Sequence, residues 1–169
     1  MGIDSRGDAN GGVAGGVDGR PQAGTNASVT VTYDNSVTNT SFSNLHIDSM
    51  TGPISLVQTE NTFSTSSETV GEFGTGSFSL LGGDHVIGNS LFLGKNNGSS
   101  GTVSVSAGNL TGLSGTNNKA GITIGNGTLL QSGGVINVAR LWIAQGNSSQ
   151  SLYSFSGGSA SAANELLLG

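Results

Sequence analysis

Of 169 residues, 88 are Gly, Ser, Thr or Asn, with 9% charged and 5% aromatic side chains, so helix formers are too scarce for a helical bundle or an α/β domain. Five Lys and Arg against ten Asp and Glu give a net charge of -5, and Arg6, Arg20, Lys95, Lys119 and Arg140 form no cluster, which argues against nucleic-acid and anionic-membrane partners. Cysteine is absent, which excludes disulfides and thiolate chemistry, and no run approaches the ~18 apolar residues of a membrane helix, so no membrane insertion is expected.

Residues 1–27 carry eight glycines and, besides Ile3, only Val13 and Val17 as sizeable aliphatic side chains, the composition of a flexible arm. From Ser28 the pattern turns to alternation, with Val29, Val31 and Tyr33 on one face and Thr30 and Thr32 on the other, which predicts a strand. Short runs at Phe42–Ile47 and Ile54–Val57 follow, separated by a Gly52-Pro53 turn. Residues 28–69 therefore read as an N-terminal β segment suited to capping the rest of the chain or bridging to a neighbour.

Residues 70–169 repeat. The stretch Gly82-Gly83-Asp84-His85 to Leu91-Phe92-Leu93-Gly94 aligns without a gap on Gly157-Gly158 to Leu166-Leu167-Leu168-Gly169. A third copy runs from Gly133-Gly134 to Leu141-Trp142-Ile143, and a fourth, with an insertion, from Ala107-Gly108 to Ile122-Thr123-Ile124. A period of about 24 residues with alternating apolar positions and paired-glycine turns predicts an all-β parallel β-helix, a β-solenoid of about three short strands per coil.

Three apolar columns fill its lumen on this alignment. The first strand supplies Phe78, Leu80, Val103, Val105, Leu129, Tyr153 and Phe155. The second supplies His85, Ile87, Leu110, Ile136, Val138, Ala160 and Ala162. The third supplies Leu91, Leu93, Ile122, Ile124, Trp142, Ala144, Leu166 and Leu168. The alternate residues Phe92, Ile143 and Leu167 then form an outward apolar row, a surface for assembly or for an intramolecular cover. The last coil stops at Gly169 with no polar cap, so that end is expected to stack on another coil, of a further subunit or of a longer chain.

The phrases Gln131-Ser-Gly-Gly-Val, Tyr153-Ser-Phe-Ser-Gly-Gly-Ser and Asn164-Glu-Leu-Leu-Leu-Gly resemble the degenerate repeats of bacterial secreted β-helix proteins, autotransporter-type passenger domains among them. The resemblance covers about residues 71–169. It implies an extracellular or cell-surface location and a stalk, adhesin or matrix role.

Other motifs weigh less. Arg6-Gly7-Asp8 matches an integrin-binding tripeptide in a stretch where chance supplies one, and Asp8, Asn10 and Asp18 lack the spacing of a calcium loop. Thr30-Val31-Thr32 resembles one rank of an ice-binding solenoid, without repetition in sequence. Sequons at Asn26, Asn39, Asn97, Asn109, Asn126 and Asn147 follow from composition.

For a polysaccharide-active enzyme the relevant residues are Asp84-His85, Glu68 and Glu72. His85 shares a lumen column with Leu110 and Ile136, and nothing adds a cationic subsite. The expectation is a non-enzymatic structural protein with no catalytic, cofactor or metal residue. Its subunits join head to tail into a filament or matrix fibre, so its partner is itself. The alternative is an adhesin fragment binding carbohydrate or a cell surface.

Overall fold

The computed structural model describes residues 27–112, 120–144 and 150–169. Period-two alternation, broken every few residues by Gly, Asn or Ser, commits each described element to β-structure. The strands are β1 (Val29–Tyr33), β2 (Thr40–Ile47), β3 (Ile54–Gln58), β4 (Thr62–Val70), β5 (Thr75–Leu80), β6 (Asp84–Leu93) and β7 (Ser100–Val105). They continue as β8 (Asn109–Gly112), β9 (Gly121–Ile124), β10 (Gly127–Gln131), β11 (Val135–Ile143), β12 (Leu152–Phe155) and β13 (Ser159–Leu168).

The short strands stack in the order β1-β3-β5-β7-β10-β12. The long ones stack as β2-β4-β6-β8-β11-β13, with β9 beside β8 between β6 and β11. Pairing along both stacks is parallel. Each short strand and the long strand after it make one rung of a parallel β-solenoid. Thr128 lies beside Leu152, 24 residues on, as the sequence period predicts.

The expected three strands per coil are explicit where β7, β8 and β9 make one rung. In other rungs the second and third run together through a bulged corner, with register shifts between Thr65 and Ser67 and between Val138 and Arg140. The opposite corner has a left-handed residue in each of five successive rungs: Asn61, Gly83, Gly108, Gly134 and Gly158, with φ between 59° and 86°. Each of the first four of these offers its carbonyl to the residue following its counterpart one rung on, as in Asn109 N–H to Gly83 O at 2.9 Å. A Cβ at Gly108 would lie 2.5 Å from Gly83 O, so the paired-glycine signature reflects both handedness and close approach.

The lumen holds the predicted ladders. Phe78, Leu80, Val103, Val105, Leu129, Leu91, Leu93, Ile122 and Ile124 are all buried in one continuous core. Tyr153 packs against that core, but Phe155, Leu166 and Leu168 are 54%, 59% and 68% exposed. They continue the columns of Gln131, Leu141 and Ile143, and no described rung lies beyond them.

Two expectations need correction. The solenoid is not confined to residues 70–169: β1/β2 and β3/β4 are its first two rungs, and Tyr33, Ile47, Leu56, Phe63 and Val70 belong to the common core. Their membership was hidden because Glu60-Asn61 stands where later rungs have Gly-Gly or Ala-Gly. The Gly-rich arm expected over 1–27, Arg6-Gly7-Asp8 included, lies outside the described residues except for Ala27.

The second correction is one of register. Leu141 and Ile143 occupy the lumen columns of Leu166 and Leu168, and Trp142 pairs outward with Thr123 and Leu167. Trp142 is therefore not a lumen residue and Ile143 is not part of the outward row. The cause is corner length: one residue, Ala139, separates the paired halves of β11, whereas two, Ala163 and Asn164, separate those of β13. An ungapped alignment carries that difference into the third strand, and a slip of one residue exchanges its faces.

Replacing Leu141 with Asp should therefore cost at least ~3 kcal/mol, because it places an unpaired charge in the lumen. Trp142→Ser should stay within ~1.5 kcal/mol, because it trims only the outer face. Urea unfolding followed by circular dichroism distinguishes the two, and equal losses would return Trp142 to the lumen.

Candidate functional site

Polar side chains enter the lumen at only a few points, and the largest group surrounds His85. The ring lies in the column of Phe63, Leu110 and Ile136, is fully buried, stacks on Phe63 at 5.4 Å and meets Phe78 at 4.5 Å. Its Nε2 lies 2.7 Å from Glu68 Oε2 and its Nδ1 2.9 Å from Gln58 Oε1. Gln58 Nε2 donates to Asn61 O and Asp84 O, which fixes Oε1 as the acceptor and places a proton on His85 Nδ1. One further proton is shared between His85 Nε2 and Glu68 Oε2, so the pair is neutral overall whichever atom holds it. Glu68 Oε1 has no partner.

The same bracket recurs two rungs from the other end. Buried Gln131 donates to Ser159 O at 2.8 Å, and its Oε1 accepts from the Tyr153 hydroxyl at 2.7 Å. Each glutamine joins its own rung to the backbone of the next, so both networks serve the stacking. Glu68 and Glu72, four residues apart, do not converge. Glu72 lies on the outer surface between Lys95 Nζ at 2.7 Å and His46 Nδ1 at 3.0 Å. The hydrogen bond from Lys95 lowers the Glu72 carboxyl from its ordinary value of 4.5, against a smaller opposing effect of burial. No group of three or more acidic or His side chains that could hold a metal occurs among the described residues.

The outer face of the third-strand stack carries the column His46, Thr69, Phe92, Thr123, Trp142 and Leu167. Phe92 and Leu167 thus share the predicted row, with Trp142 in the place expected of Ile143. Beside it runs Ser67, Ser90, Gly121, Arg140 and Glu165. Small residues in the β9 rung, Gly121 and Thr123, leave a cleft of about 330 Å³ between Ser90 and Phe92 on one side and Arg140 and Trp142 on the other. The Arg140 guanidinium lies 5.4 Å from the Trp142 ring, and the Lys95 ammonium 6.0 Å from the Phe92 ring. Arg140 Nε and Trp142 Nε1 are shielded from solvent and have no hydrogen-bond acceptor.

The short-strand sheet presents a different outer face. Thr30 begins a column of Thr30, Ser55, Ser77, Thr102 and Thr128, but Thr32 is followed by Val57, Ser79, Ser104 and Leu130, so the Thr-x-Thr rank is not repeated in the stack. Of the sequon asparagines, Asn109 and Asn126 donate across rungs to Asp84 Oδ1 and Asn96 O.

The two ends complete the geometry. In the first rung Val31 and Phe42 occupy lumen columns yet are 52% and 49% exposed. In the last rung Phe155, Leu166 and Leu168 do the same. No protein-family model matches the chain, and no curated protein or solved structure matches it.

His85→Leu alone should cost ~3–5 kcal/mol, because it strands a buried carboxyl. The double variant His85→Leu with Glu68→Leu should recover most of that loss, both columns being aliphatic in the rungs that follow. A double-mutant cycle in urea that showed simple additivity would remove the pairing. Lys95→Met should raise the Glu72 carboxyl pKa, read by NMR titration. Because that pKa is depressed in the folded state, its contribution to stability is present above the unfolded value and fades as pH falls through the folded one.

Proposed function

We propose that this chain is a structural subunit that stacks head to tail into a filament or matrix fibre, at the cell surface or outside the cell. The observation that carries the reading is the pair of open lumen faces. Extending the columns by one step sets Tyr153 against the exposed Val31 of the next copy and Leu166 against the partly buried Leu45, while Phe155 and Leu168 fall in line with Tyr33 and Ile47, which the first rung already buries. The small Ala160 and Ala162 meet Thr40 and the protruding Phe42. Volumes are complementary along that seam, large over small in the second strand and aliphatic over aliphatic in the third.

Backbone chemistry supports the same contact. The outer edges of β12 and β13 and those of β1 and β2 each carry a row of peptide groups without a strand partner among the described residues. A parallel docking of β1 on β12 and β2 on β13 satisfies both rows. The corners are compatible, because β13 has two residues at its bulge and β2 has one, the same step that β6 makes against β4. Such a contact is heterologous, and it propagates without closing. The extracellular placement rests on the resemblance of the repeats to secreted β-helix proteins.

Electron microscopy of the purified chain over a concentration series should show fibres with an axial repeat of about 29 Å, six rungs at ~4.8 Å each. Leu166→Asp with Leu168→Asp should abolish the fibres and leave the circular dichroism of the monomer intact. Monodisperse particles at every concentration would defeat the proposal.

A further inference from the structure

We infer that the cleft between Phe92 and Trp142 is a binding site for a neutral glycan, taking one sugar ring between the two aromatic side chains. The inference does not rest on the filament reading, because the cleft lies on the lateral wall, clear of both ends.

The geometry starts from column register. Phe92, Thr123 and Trp142 stand on three successive rungs, so the two aromatic residues are two strand spacings apart, about 9–10 Å. A sugar ring in van der Waals contact with an aromatic face on either side needs roughly two contact distances of ~3.5–4.0 Å. A gap of two strand spacings leaves width for one such ring. It stays open because the intervening rung contributes only Thr123 to the aromatic column and no side chain to the neighbouring one. A Cβ at Gly121 would lie 2.9 Å from Arg140 Cβ, so glycine here lets Arg140 pack close to the floor.

Apolar walls alone would not choose a ligand. The lining also includes the polar residues Ser90 and Asn89, and two lining residues, Arg140 and Trp142, each hold a buried N–H, at Nε and Nε1, that lacks an acceptor. A ligand hydroxyl oxygen that reached either one would satisfy a buried donor that now lacks an acceptor. Aromatic faces for the C–H face of a sugar, with donors and acceptors at its rim, fit a polyol better than a purely apolar guest.

Charge selects the neutral class. Arg140 already has Glu165 Oε2 at 3.8 Å, and Lys95 near Phe92 is held by Glu72 at 2.7 Å. With both local cations matched by carboxylates and a net charge of -5, the wall offers no surplus positive field to a uronate or sulfated chain.

The chain has a single tryptophan, Trp142, so its intrinsic fluorescence reports on this cleft directly. Titration with soluble oligosaccharides of glucose, galactose and mannose should give a saturable change in Trp142 emission with at least one of them. A galacturonate oligomer should give none. Phe92→Ala should weaken the response about tenfold. Thr123→Phe should fill the gap and abolish it, and circular dichroism should show both variants folded. Absence of any response, a response to the uronate alone, or binding unchanged in the Thr123→Phe variant would each overturn the inference.

Discussion

Everything in this molecule depends on in-register parallel stacking. Once each rung pairs with the one before it through backbone hydrogen bonds, a residue's identity matters through its column as much as through its own neighbours. The column of Leu91, Ile122 and Leu141 is buried because each member covers the next, and Leu166, with the same chemistry in the same column, is exposed because no described rung covers it. Burial in this fold is thus largely a property of position in the stack.

Stacking of this kind has a weakness: aliphatic columns tolerate displacement by a whole coil. Leu91 would sit on Leu141 nearly as well as on Ile122. The buried polar groups do not share that tolerance. Shifted by one rung, Glu68 would face an aliphatic column with no imidazole in reach, and Gln58 Oε1 would lose the His85 Nδ1–H. A lumen mostly of leucine, isoleucine and valine supplies the apolar burial. Two polar brackets, at Gln58 with His85 and Glu68 and at Gln131 with Tyr153, penalise the alternatives.

Much of this was legible in the sequence, and the failures share one cause. Paired glycines at a spacing near 24 residues and alternating apolar positions identified the solenoid and most of its lumen, including the inward placement of His85. What sequence could not resolve was corner length. The bulge after Val138 holds one residue and the corner after Ala162 two, and neither Ala139 nor Ala163 carries a signal that tells them apart. From that ambiguity came the exchange of Trp142 and Ile143. The first two rungs were missed because the corner near Asn61 reaches its left-handed conformation without glycine, and Glu60-Asn61 breaks the visible repeat. The cleft went unseen for a related reason: a gap made by Gly121 and Thr123 exists only when the rungs on either side have been placed.

Division of labour along the solenoid follows from the same geometry. The ends differ from the wall in what they expose: lumen residues and unpaired backbone at the ends, finished outer columns on the wall. In the proposed fibre, the end faces take only something that can continue the ladder, which means another coil. The wall keeps its backbone satisfied and presents side chains alone, so its outer residues can change without disturbing the stack. Trp142 illustrates this freedom, because an outward position carries an aromatic ring beside Arg140 while its neighbours Leu141 and Ile143 hold the core. In the fibre proposed above, each wall site would recur once per subunit. Weak single contacts with a long polymer then add through avidity, provided the sites along the fibre match the spacing of the polymer's repeats.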